Sequence, residues 1–204
     1  MNAPSEVPTF ESVAAFHGHV CLDIALGYRV ATAAMRELGC DRPRDEELVA
    51  IVENDSCSVD AVQAVTGCTF GKGNLVYHPY GKAAYTVIDR RTGRAVRIYC
   101  HFWEAFDRGE GVAFIALMNR VLAGESSSAE RERFGREMAE ISQRILSLPE
   151  RELFSVSRVE TPPPPSARIF SSAACDQCGE WTMETRLALI HGRRLCPPCR
   201  DVRG

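Results

Sequence analysis

The chain has 204 residues, 45% of them hydrophobic and 25% charged, with a formal net charge of -3 at pH 7. That length holds one domain with a sizeable core plus a small appendage, and the near-neutral balance gives no broad basic field for phosphates to follow, so nucleic-acid binding is not expected. No run approaches the roughly 20 apolar residues of a membrane span, and Met1-Asn2-Ala3-Pro4-Ser5-Glu6 lacks the start of a signal peptide.

A soluble, cytoplasmic protein with no membrane partner is therefore expected. Nine cysteines, four of them in metal-type pairs, argue against a secreted disulfide framework and leave the thiols free for metals or chemistry.

In chain order, Ile24, Tyr28, Ala31, Met35 and Leu38 recur at helical spacing and predict a helix over 21–38, closed by Gly39. Leu48-Val49-Ala50-Ile51-Val52 is a continuous apolar run suited to a buried strand. The turn Asn54-Asp55-Ser56 follows, and a helix over 58–65 can end at Gly67. Segments 85–89 and 95–99, joined by a turn containing Gly93, predict a β-hairpin. Helices are expected over 112–122 and 129–146, and a final strand over 152–159.

Pro162-Pro163-Pro164-Pro165 cannot continue a helix or a central strand, because each proline lacks an N–H. It divides the chain into a core domain over 1–160, a stiff linker over 161–167 and a module over 168–204. The expected class is α+β, a mixed sheet with packed helices in the core plus a small zinc-ribbon or treble-clef-like module.

Two segments of the core carry chemistry. Cys57 follows the turn and opens a helix, where backbone N–H groups and the helix dipole favour a thiolate. The bland alternative is a small buried hydrophobe, against which the polar neighbours Asn54, Asp55, Ser56 and Ser58 argue. In His17-Gly18-His19-Val20-Cys21 the ligand types are two residues apart, so either extended or helical backbone can present two at once. Thiolate with imidazole suits zinc, iron or copper rather than magnesium or calcium, with zinc or iron expected.

If this segment meets Cys57, three protein ligands and an open position follow, the pattern of a catalytic zinc; the alternative is a histidine pair that only hydrogen-bonds loops. Four candidates exceed the need of an open tetrahedral site. One histidine, His17, is therefore expected outside the ligand set, as a hydrogen-bonding or proton-carrying group, with Cys57 the reactive thiol.

Gly67-Cys68-Thr69-Phe70-Gly71-Lys72-Gly73-Asn74 fails as a phosphate loop, since Gly73 stands where a magnesium-binding hydroxyl is needed. A tight turn with a solvated Lys72 is the plainer reading, an anion site with Lys72 as charge partner the other.

Taken together these segments resemble the formylmethanofuran dehydrogenase E-subunit family. The resemblance rests on Phe16-His17-Gly18-His19-Val20-Cys21, Leu26-Gly27-Tyr28-Arg29, Val52-Glu53-Asn54-Asp55-Ser56-Cys57, the glycine-rich segment above and Tyr80-Gly81-Lys82-Ala83-Ala84-Tyr85. It implies an α+β homodimer with a metal or reactive centre at His17, His19, Cys21 and Cys57, and Asp55, Asp60 and Lys72 as further site candidates. It also implies an accessory or catalytic role beside a molybdenum or tungsten enzyme of one-carbon redox metabolism. Leu22 and Asp23 stand where many members have proline and glycine, which reshapes the start of that helix.

Cys175-x2-Cys178 and Cys196-x2-Cys199 have the spacing of a closed four-thiolate zinc site, with structural zinc expected and a hairpin over 181–195 between the pairs. From Cys175 onward five arginines face four carboxylates, a net charge of +1, so a protein-contacting or dimer-supporting role is favoured over nucleic acid. The apolar run Ala113-Phe114-Ile115-Ala116-Leu117-Met118 is a second reason to expect a dimer. The competing functions are a metal- or redox-sensing regulator, and a sulfur- or metal-trafficking protein using Cys57.

Overall fold

The computed structural model describes residues 7–106, 108–109 and 111–201. The start Met1 to Glu6, and Arg203 of the charge count, lie outside the described residues. The chain divides between Ser166 and Ala167 into two compact units.

The first unit opens with α1 (Phe10–His17), whose N-cap Thr9 accepts from Ser12 N–H. Then α2 (Leu22–Leu38) runs from an N-cap at Cys21 to Gly39, whose left-handed conformation lets its own N–H donate to the Arg36 and Met35 carbonyls. Next come β1 (Leu48–Val52) and α3 (Ser58–Thr66), followed by β2 (Leu75–Tyr77), β3 (Ala84–Asp89) and β4 (Ala95–Cys100). The unit continues with α4 (Phe102–Phe106), α5 (Gly111–Leu122), α6 (Ser128–Ser147), the single turn α7 (Glu150–Leu153) and β5 (Phe154–Val159). The strand expected over 152–159 therefore begins two residues late, its first residues being taken by α7.

The five strands form one mixed sheet in the order β2-β1-β3-β4-β5, parallel only between β1 and β2. The β3–β4 hairpin turns at Gly93, φ 70°, while the buried Asp89 carboxylate accepts from the Arg91 backbone and guanidinium. Leu48, Ala50, Val52, Val87, Val96 and Ile98 face the helices; Val49, Ile88 and Ala95 form a small cluster on the other face.

α2 is buried on most sides, against the sheet and between α3 and α6, and Ala25, Ala31, Ala33 and Ala34 leave room for these neighbours. Gly27 makes the closest approach. A Cβ there would stand 2.7 Å from Ser58 Cα and 2.9 Å from its carbonyl carbon. Two residues on, the Arg29 guanidinium donates to the carbonyls of Ile145, Leu146 and Leu148 at 2.8, 2.7 and 2.9 Å, satisfying the orphan acceptors at the end of α6. Phe114 stacks on Phe134 at 5.4 Å and fastens α5 to α6.

The second unit is built on two hairpins. β6 (Ser172–Ala174) pairs with β7 (Trp181–Met183), and β8 (Ala188–Ile190) pairs with β9 (Arg193–Leu195) before a short α8 (Pro197–Asp201). The single hairpin expected over 181–195 is thus two half-hairpins, because Trp181 to Met183 pairs backward and a 3-10 turn at Glu184–Arg186 separates it from β8. Knuckle, hairpin and closing helix follow the order of a treble clef.

Two tests follow from the packing. Gly27→Ala should lower stability by about 1–3 kcal/mol through overpacking against the Ser58 backbone, measured by denaturant unfolding. Glu150 receives both Arg36 guanidinium nitrogens at 2.6 and 2.8 Å, and this hydrogen bonding holds its carboxyl below the usual glutamate range despite partial burial. A depressed folded pKa stabilises above the unfolded value and ceases to as pH falls through the folded one. Glu150→Gln should therefore cost stability at neutral pH, less than about 1 kcal/mol because both groups are partly solvated, and the difference should close as the pH falls below the usual glutamate range.

Candidate metal centre

Two turns, the one between α1 and α2 and the one between β1 and α3, meet near the carboxyl end of β1. Ala14 accepts from the Gly18 N–H, and Gly18, at φ 99°, ends α1 and turns the chain toward Cys21. Cys21 caps α2, its Sγ accepting from the Ile24 N–H at 3.4 Å. Cys57 occupies the N-cap position of α3 without a side-chain cap bond. The expectation that Cys57 is the thiol receiving a helix N–H is therefore corrected: that bond belongs to Cys21.

The turn before α3 is fixed by its own polar groups. Asn54 Oδ1 accepts from the Ser56 N–H at 3.2 Å and from its hydroxyl at 3.0 Å, while Asn54 Nδ2 donates to the Lys82 carbonyl at 2.9 Å. Ser58 Oγ lies 2.7 Å from Ser56 Oγ and 2.6 Å from the buried Tyr85 hydroxyl. This network accounts for the polar company of Cys57 that the sequence displayed.

His17, Cys21 and Cys57 each offer a ligand atom, and these atoms lie within 4.8 Å of one another. His17 Nδ1 is 2.7 Å from Asp60 Oδ2, so the carboxylate holds the proton on Nδ1 and turns the other nitrogen inward. That nitrogen, Nε2, is buried and has no hydrogen-bond partner among the described residues. Burial, with the Cys57 thiol adding to it and the Ile24 N–H opposing, pushes the Cys21 thiol up to about 12. Burial also raises the Asp23 carboxyl, against the pull of His17. Asp23 was missed as a neighbour of the site; its position beside Cys21 at the head of α2 was the available signal.

Of the two histidines, only His17 stands among the thiols. His17 joins the thiols, while His19 is exposed, its ring 4.5 Å from that of His17. Asp60 touches the site through His17, and Asp55 is exposed in the turn. Lys72 does not reach it: its Nζ donates to the Asp45 carbonyl, and the adjoining Asn74 donates to Leu48, at the opposite end of β1. Cys68 and Cys100 are buried packing groups with thiols pushed up to about 11 by desolvation.

A cavity of about 550 Å³ opens onto the cluster, bounded by His19, Val20, Cys21 and Cys57 on one side and by Met118, Leu122, Phe134, Gly135, Met138 and Ala139 on the other. The second wall comes from α5 and α6, far along the chain from both cysteines, and periodicity gave no sign of it.

In the second unit Cys175, Cys178, Cys196 and Cys199 also bring their sulfurs within 4.8 Å. Backbone N–H groups of Cys178, Cys196 and Gln177 hold the buried Cys175 thiol down to about 6, as a thiolate ligand requires. His191, φ 47°, sits in the β8–β9 turn, outside this set.

Comparison with known proteins agrees with this division. Residues 16–155 match the family described as FmdE, molybdenum formylmethanofuran dehydrogenase operon, and residues 168–203 match the prokaryotic dksA/traR C4-type zinc finger. A probable S-adenosyl-L-methionine-binding protein of Archaeoglobus fulgidus is 36% identical over 177 residues. That match covers 84% of this chain, which spans about half (48%) of that relative's length. The crystal structure of a tungsten formylmethanofuran dehydrogenase FmdE-like protein from Syntrophus aciditrophicus superposes with a TM-score of 0.60 at 23% identity, over 98% of this chain and 97% of that one. The chain belongs to the FmdE family and carries a C4-type zinc finger after its core.

Proposed function

We propose that the core unit binds one transition-metal ion, zinc or iron, through His17, Cys21 and Cys57 with a fourth position open. On this reading the protein works as a homodimeric component, accessory or catalytic, of a molybdenum- or tungsten-dependent one-carbon redox system. The observation that carries the metal reading is the His17 imidazole. Its Nδ1 is tied to Asp60, its Nε2 is buried without a partner, and two thiols stand beside it. A buried ring nitrogen without a hydrogen bond is costly, and a cation among two sulfurs relieves that cost.

The metal, when bound, would supply a Lewis acid able to polarise a carbonyl or activate water. The chain's own groups do the rest: Asp60 orients His17, His19 stands at the cavity wall as a proton carrier, and the apolar wall limits water.

The redox setting is supported by the family's description and by the words used of the Syntrophus protein. Dimerisation is supported by α5, which leaves Val112 exposed (56%) outside the cavity. The Archaeoglobus relative's name speaks of S-adenosyl-L-methionine. Among the described residues, the cavity beside the cluster has no carboxylate or cation in its lining to pair with that molecule's charges, so that ligand is not assigned to it.

Metal analysis of anaerobically purified full chain should give about two ions per chain, one of them zinc. Cys57→Ala should lose one and keep the other, and Cys178→Ser should do the reverse while leaving the first unit folded. Retention of both ions in Cys57→Ala would contradict the core site. Asp60→Asn should keep the fold and weaken the core ion about 10–100-fold in a chelator competition.

A further inference from the structure

The cavity beside the cluster has a divided chemistry. Val20, Met118, Leu122, Phe134, Met138 and Ala139 make most of its wall, and among the described residues no Lys, Arg, Asp or Glu lines it. A phosphate, carboxylate or ammonium entering there would lose hydration and meet no counter-charge. Its polar groups are confined to the end formed by His19, Cys21 and Cys57.

Gly135 adds an independent observation. It lies inside α6, where glycine is a poor helix former, and a Cβ built on it meets nothing within 4 Å. Gly135 lines the cavity, and a side chain added there would enter open space beside it.

We propose that this cavity binds a small organic thiol with an uncharged, apolar body, its sulfur at the Cys21–Cys57 end. The inference rests on the metal reading above. A soft thiolate suits a position beside two cysteine sulfurs and an imidazole, and Met118 and Met138 offer polarizable contacts to the body of such a molecule. A thiol must shed its proton to bind as thiolate, so binding releases one proton to solvent. The S–H bond breaks heterolytically, the electron pair stays on sulfur, the proton goes to solvent, and nothing is oxidised or reduced.

The test is an anaerobic titration of the cobalt(II)-loaded full chain with 1-butanethiol, 1-butanol and mercaptosuccinate, followed by sulfur-to-cobalt charge-transfer absorption. We expect about two cobalt ions per chain, a new charge-transfer band with 1-butanethiol, and roughly tenfold or weaker binding of the other two probes. Gly135→Leu, which fills the wall, should keep both cobalt ions and lose roughly tenfold or more in butanethiol affinity. Cobalt confined to the four-thiolate module would remove the metal reading and this inference with it. Cobalt in both sites with no preference for butanethiol, or with unchanged affinity in Gly135→Leu, would overturn this inference alone.

Discussion

The contact on which the site depends is the approach of α2 to α3 at Gly27. Helices whose facing residues carry side chains are held apart by them, and here the backbone of Ser58 occupies the space a Cβ of residue 27 would need. Cys57 immediately precedes Ser58, and Cys21 caps the helix that contains Gly27. Closing the gap between the two helices is what brings the heads of both, and hence both thiols, to one place. His17 joins them because α1 ends at Gly18 in a conformation that glycine adopts at little cost.

Around this contact the buried polar groups hold one another in place. Asn54, Ser56, Ser58 and Tyr85 form a connected set that fixes the entry to α3, and Asp60, one turn into that helix, fixes the imidazole. Such groups are costly to bury singly and stabilising when mutually satisfied. His17 Nε2 stands outside this accounting, and that exception is what makes the cluster a candidate for a cation. Arg29 does similar work for the far wall: by gripping the last carbonyls of α6 it holds the helix that carries Phe134 and Met138 against α2.

Much of the fold was legible in the sequence because it is set locally. The helix ending at Gly39, the strand Leu48–Val52 and the hairpin around Gly93 follow from periodicity and glycine placement, and their observed bounds lie within a residue of those expected from the chain. The split of the histidines was not legible. Residues 17 and 19 carry the same side chain, and only the turn at Gly18 and the position of Asp60 on a neighbouring helix decide which imidazole points inward. Lys72 stands out by its glycine company, but the loop it occupies meets the wrong end of β1. The cavity wall, assembled from α5 and α6, depends on tertiary packing that no local pattern records.

The claim that His17, Cys21 and Cys57 hold a metal ion with an open position is most directly tested by X-ray absorption on the zinc-saturated full chain. With a closed four-thiolate site and a two-thiolate, one-imidazole site both filled, the spectrum should average to about three sulfurs per zinc at roughly 2.3 Å, with the remaining ligands light atoms near 2.0 Å. About one zinc per chain surrounded by four sulfurs alone would contradict the account.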